Sequence, residues 1–270
     1  MTTLSPLPVP PARFRDLVGS EWIKTRSLRS TPWTIALTAL FVIGSSAVAT
    51  LSDQGAVRGP EAPDFRPFDA YPAGGYWTLI LVAACSGALA VVSEYNSGLI
   101  RTTTVAVPAR GAVVLAKAVV TAALWAAVGA LASAGSFLVS QAVLHGRDAA
   151  VPVTHPGVPR ALVASALLAP VSALVGLGLG VLLRHVAATM LTGVFTLLML
   201  PTMFSESARW SADVNHAMVP AAWRRLVQSW EADPGSLGYA ATVPGSWAVY
   251  ALWPLTAVAL AVIVVRRRDV

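Results

Sequence analysis

The chain has 270 residues, of which 56% are hydrophobic and only 12% charged, with a formal net charge of +6. Its mean hydropathy of +0.66 and pI near 10.1 exclude an ordinary soluble domain, which needs far more charge to solvate its surface. The bases flank apolar runs instead of forming a basic surface interleaved with aromatics, so a nucleic-acid partner is not expected.

In chain order, residues 1–12 are Pro-rich, lack the apolar core of a secretory signal and read as a disordered tail. From residue 13 to 32 the pattern changes. Phe14, Leu17, Val18, Trp22 and Leu28 share one helical face, flanked by Arg15 and Arg26 on one side and Arg13 and Lys24 on the other. An apolar stripe with a Trp and bordering bases fits a helix lying in the headgroup plane, so Phe14, Leu17, Val18, Trp22, Lys24 and Arg26 are the predicted membrane-interface residues. Ser30-Thr31-Pro32 is predicted to end it and open a span, with Thr31 as N-cap and Pro32 at the first helical position.

Residues 33–265 then form one membrane domain. Its charge-free runs are each close to the ~20 residues that cross hydrocarbon. There are six: Trp33 to Leu51, Tyr76 to Val92, Val113 to Leu144, Arg160 to Leu183, Val186 to Phe204, and Ser246 to Val265. The third is long enough to tilt or to project beyond the membrane. Continuous runs exclude a β-barrel, whose strands alternate. The predicted fold is an all-α polytopic membrane protein of six transmembrane helices, with an N-terminal interfacial helix, a short extramembrane helix after the second span and a tail at 266–270. The loop 205–245 contains Trp223, Leu226, Val227 and Trp230 on one helical face, which predicts a short helix capping the outer mouth or dipping into the bilayer.

Lys and Arg concentrate on one side if the spans alternate: Arg13, Arg15, Lys24, Arg26, Arg29, Arg101, Arg110, Lys117, Arg184, Arg266, Arg267 and Arg268. The positive-inside rule then places both termini in the cytoplasm of a multi-pass plasma-membrane protein. Lys117 and Arg160 lie near span ends, where they are expected to snorkel.

No Gly-x-x-x-x-Gly-Lys-Ser/Thr segment is present, so no P-loop binds ATP in this chain. His145, His155, His185 and His216 are scattered, Cys85 is the single cysteine, and neither sets up a metal site. No nucleophile–base pair stands out, so the chain is not expected to be an enzyme. The spans hold no carboxylate of the kind that proton- or sodium-coupled carriers keep in the membrane. The energy for transport would have to enter from outside, and a polar island between the second and third spans is the natural place.

That island runs Ser93-Glu94-Tyr95-Asn96-Ser97-Gly98-Leu99-Ile100-Arg101-Thr102-Thr103-Thr104, more than a turn requires. Glu94 to Thr103, followed by Val107-Pro108-Ala109-Arg110-Gly111 and Leu115-Ala116-Lys117-Ala118, resembles the cytoplasmic loop of the type-2 ABC exporter permeases of actinobacteria. The segment from Ser20-Glu21-Trp22-Ile23-Lys24 to Pro32-Trp33 is similar to that family's amphipathic lead-in. The resemblance covers roughly the first 120 residues; Ala109 departs from it, since a second base is expected beside Arg110.

The resemblance implies a coupling helix in which Glu94, Tyr95, Gly98, Leu99, Ile100 and Arg101 contact a separate ABC ATPase. Two copies of that subunit, which would hold ATP and Mg, work with two permeases, identical or not. It also implies that the second and fifth spans line the substrate cavity. On the fifth, Thr189, Thr192, Thr196, Met199 and Met203 recur at three- and four-residue steps. They line a path for a hydrophobic or amphipathic compound (drug, lipid or peptide), or else they pack, with hydroxyls bonded back to their own helix. Gly176 and Gly180 give a Gly-x-x-x-Gly spacing suited to packing within the subunit or to dimerisation. The competing reading of the whole chain is a membrane scaffold that recruits a cytoplasmic partner without transport.

Overall fold

The computed structural model describes residues 13–52, 70–98, 109–145, 150–228 and 239–267. The predicted tail at 1–12, most of the predicted coupling helix including Leu99, Ile100 and Arg101, Trp230 and the last three residues lie outside them.

The chain is an all-α polytopic membrane protein. α1 (Phe14–Ser27) is followed by α2 (Ser30–Ser52), α3 (Ala73–Asn96), α4 (Arg110–His145), α5 (Val158–Leu183) and α6 (Val186–Val194). α6 continues through a π turn (Phe195–Met199) into a 3-10 turn (Leu200–Met203), and α7 (Arg209–His216), α8 (Val219–Val227) and α9 (Val243–Arg267) complete the described helices. Six of these, α2 to α5, α6 with its extension, and α9, are long and apolar enough to cross a membrane. Each agrees with an expected span to within a few residues at its ends. α2 begins at Ser30, so Thr31 and Pro32 sit in its first turn and Thr31 is not the N-cap; α1 stops at Ser27, short of the expected 32.

α4 has 36 residues, about 54 Å at 1.5 Å per residue, against a hydrocarbon core of ~30 Å. It therefore projects well past the apolar slab or leans through it. α5 is the central pillar: 67% of its most apolar window is buried, against 17% for α9. It packs on α3, α4 and α9, while α2 and α6 stand at the periphery.

Helix association in lipid depends on close packing, since the tails are as apolar as the side chains, and small residues supply it here. A Cβ on Gly87 or Gly176 would lie 1.9 Å from a backbone oxygen of the facing helix, Ala173 and Ala84 respectively, so α3 and α5 touch backbone to backbone. Gly176 and Gly180 are thus spent within the subunit. Pro170 removes the amide that would bond the Ala166 carbonyl, and that carbonyl faces Gly129 of α4, 2.1 Å from where a Cβ would be.

Two apolar clusters stack along the bundle. The larger, around Tyr76, Trp125, Leu168, Trp223 and Tyr250, fills the end where α8 lies. The smaller, with Val91, Val114, Leu177, Val181 and Val265, fills the end where α1 lies. α8 is buried along nearly its whole length, as a plug set into the bundle. Its C-terminal carbonyls are held by Arg160, whose Nε donates to Leu226 O at 3.0 Å and whose Nη2 donates to Gln228 O. Arg160 does not snorkel; it caps the plug.

Candidate functional site

The α1 end of the bundle carries a closed ring of four charges. In α1, Glu21 Oε1 accepts from Lys24 Nζ at 2.7 Å, and Glu21 Oε2 accepts from Lys117 Nζ of α4 at 2.6 Å. Glu94 Oε1, near the end of α3, accepts from both lysines at 3.0 Å. Two acids and two bases thus alternate around the ring, and three helices meet in it. Glu21, Glu94 and Lys117 are 5%, 8% and 6% exposed, so only Lys24 reaches solvent.

Local sequence explains the placement. Asp16 accepts from the Arg13 amide at 3.0 Å and fixes the start of α1. Leu17 and Glu21 are one turn apart and both buried against α4. Phe14 and Trp22, on the adjoining edge, are each 46% exposed and remain free to meet lipid. The apolar stripe expected to lie wholly in the headgroup plane is therefore divided: its Leu17 edge docks on protein, its Phe14–Trp22 edge faces outward. Lys24 is not simply a headgroup anchor, because its amine closes the ring. Lys117, expected to snorkel, is buried between two carboxylates.

Burial alone would raise the Glu21 carboxyl, but Lys117 and Lys24 outweigh it and hold it below its ordinary value. Burial likewise would lower the Lys24 amine, and the bonds to Glu21 and Glu94 reverse this, holding it above its ordinary value. The ring is a buried network whose members satisfy one another, and removing one leaves the rest uncompensated.

Beside the ring, Tyr95 carries the Arg184 guanidinium 4.8 Å above its ring centre. Arg184 forms the α5–α6 turn with φ of 54°. α3 ends with the Ser97 amide donating to Ser93 O at 3.0 Å and Gly98 at φ of 71°, the left-handed closure that glycine permits at no steric cost. Of the predicted coupling residues, Glu94, Tyr95 and Gly98 are described. Glu94 turns its carboxylate into the protein, toward Lys24 and Lys117, and is not an outward contact.

The predicted substrate stripe lies on α6 and its extension. Thr189 is buried and its hydroxyl donates to His185 O at 2.8 Å, which is the packing geometry. Thr192 and Thr196 are partly exposed, and Met199 and Met203 are 52% and 69% exposed. The π turn at Phe195–Met199 followed by a 3-10 turn changes the angular step, so the five do not continue as one regular α-helical stripe. No group of His, Cys, Asp and Glu suited to hold a metal occurs among the described residues.

Glu21 is not among the residues that the apolar periodicity of α1 marks out. Its signal is a lone acid in the middle of an apolar stripe, one turn after Leu17, a position that requires a buried base in reply.

Comparison with protein-family models finds no match to this chain, and comparison with characterised proteins finds none either. The chain is a multi-pass membrane protein by its six apolar helices.

Proposed function

We propose that this chain is the membrane subunit of an ATP-binding-cassette exporter of the type-2 class, moving a hydrophobic or amphipathic compound outward with ATP hydrolysed by a separate ATPase. The observation that carries the reading is the ring of Glu21, Lys24, Glu94 and Lys117. It binds the lead-in helix to the two helices that border the segment 97–109, so a push on that segment is delivered to α1, α3 and α4 together. In this reading Leu99 and Ile100 anchor in the ATPase, with a polar rim around them, and the ring is the rigid base behind the contact. The α1 end faces the cytoplasm, the α8 end faces outward, and two such subunits work with two ATPases that hold ATP and Mg.

Purification of the tagged chain with its encoded neighbours in lipid nanodiscs tests the proposal. The expected result is a stoichiometric ABC ATPase subunit and vanadate-sensitive ATP hydrolysis. Replacing Leu99 and Ile100 by Ser should abolish retention of the ATPase while the permease still reaches the membrane. A chain that binds a partner without nucleotide hydrolysis would overturn the exporter in favour of a scaffold.

A further inference from the structure

At the opposite end of the bundle, α7 is fastened to the ends of two spans. The Asn215 side-chain amide donates through Nδ2 to Pro201 O at 2.9 Å and to Phe204 O at 3.0 Å, carbonyls at the end of the α6 extension. Ser211 Oγ accepts from the Ser205 amide at 2.9 Å, and Trp253 Nε1 of α9 donates to Ala217 O, just past α7, at 2.7 Å. Ser211, Ala212 and Asn215 form the buried face of the helix. Its other face carries Trp210 and Val214, one turn apart. They are 68% and 38% exposed, and the exposed Arg209 and Asp213 flank them.

A single exposed apolar side chain is ordinary, but Trp210 is not isolated. Its ring meets Phe204 edge-on at 6.2 Å, and Phe204 follows Met203, the last residue of a membrane-crossing helix and itself 69% exposed. The apolar surface of the span thus continues around the corner at Phe204 onto α7. We propose that α7 lies in the headgroup plane of the bilayer at the α8 end of the bundle, with Trp210 and Val214 in the acyl boundary and Arg209 and Asp213 toward water. The occupant of this face is lipid. The patch is continuous with the outer surface of a span, and an indole beside a charged rim suits a boundary that is apolar on one side and wet on the other. Of the described helices between α6 and α9, α8 is buried in the bundle, and α7 is the one with a face left for lipid. Only 22% of the most apolar window of α6 is buried, so the far end of that loosely held span is steadied, through Asn215, by a helix resting on the membrane surface. The placement holds whether or not the chain transports anything.

Site-directed spin labelling of the full chain in lipid nanodiscs tests the placement. Cys85, the single cysteine, is replaced by Ala, and Trp210, Asp213 and Val214 are changed to Cys one at a time; all three are exposed, so labelling them leaves the packing intact. Molecular oxygen concentrates in lipid and a neutral nickel chelate in water. Labels at 210 and 214 should collide severalfold more often with oxygen than with the chelate, at a depth of about 5–10 Å. The label at 213 should show the reverse. Val214→Cys keeps the indole in place and decides the case should the labels at 210 and 214 differ. Equal chelate access at 213 and 214 would put α7 in water and overturn the proposal. A label at 214 shielded from both reagents would mean that protein covers the face, a second copy or another partner, and would overturn it as well. Oxygen access at 213 matching that at 214 would sink the whole helix into hydrocarbon, which contradicts an interfacial position.

Discussion

Lys117 Nζ lies 2.6 Å from Glu21 Oε2, joining two buried residues 96 positions apart in the chain. The bond fixes where α1 must sit: a carboxylate in an apolar stripe is tolerated only against a buried base, and Lys117 presents one on the face that α4 turns to α1. Removing the amine leaves Glu21 and Glu94 with Lys24 alone. Lys117→Met is expected to destabilise the fold by about 3–5 kcal/mol, read as a lower unfolding midpoint in detergent. The reversed pair Glu21→Lys with Lys117→Glu should recover part of that loss. An unchanged midpoint in Lys117→Met would mean that the ring contributes nothing.

The ring also sets a pH dependence. Glu21 is held below its ordinary value of 4.5, so its contribution is complete above that value and is lost as the pH falls through the lower value it has in the fold. Lys24 is held above 10.5, so its contribution is complete below 10.5 and is lost only as the pH rises through the raised value. Docking of α1 should therefore be flat from about pH 6 to 9 and loosen under acid. Hydrogen exchange of the Phe14–Ser27 amides measures this, and a transition near neutral pH would contradict it.

Glycines separate into those that carry contacts and those that do not. Gly176→Val and Gly87→Leu place a side chain on a facing backbone oxygen and should prevent a monodisperse protein from being isolated. Gly193→Ala and Gly44→Ala meet nothing within 4 Å and should be neutral or stabilising by up to ~1 kcal/mol, the helix propensity gained. Size-exclusion profiles of the four variants give the comparison.

For α6 the expected outcomes divide along the helix. Thr189→Val removes a buried hydroxyl that bonds its own backbone and should leave transport intact, with a stability change under ~1 kcal/mol. Thr196→Leu and Met199→Ala change a partly exposed and a half-exposed position and, in the proposed exporter, should alter substrate-stimulated ATPase activity without affecting assembly. Normal activity in both would remove α6 from the substrate path.

The spans are readable because hydrocarbon demands long uninterrupted apolar runs, and the run Val186 to Phe204 ends within a residue of the observed helix. Trp223 and Leu226 were readable as a helix face, since periodicity is local. The ring was not. Three of its four bonds connect positions 23 to 96 apart, and nothing in a single sequence says which base answers which acid. Lys117, near the start of a run, looks the same whether it reaches for water or for Glu21. The π turn in α6 is only indirectly marked: Phe195 to Met199 carries no Gly or Pro, and the signal for a change of pitch is Pro201, in the 3-10 turn that follows, where a helix is expected to kink or end.

The contact between α3 and α5 limits how this molecule can move. With Ala173 O seated on Gly87 and Ala84 O on Gly176, sliding either helix by one residue would drive a Cβ into a carbonyl, and rotating either would lift both contacts at once. α3 and α5 must travel as a single beam. Motion between conformations then falls to the loosely buried outer helices α2, α6 and α9, and the charged ring, fastened to one end of that beam through Glu94, moves with the beam and not against it.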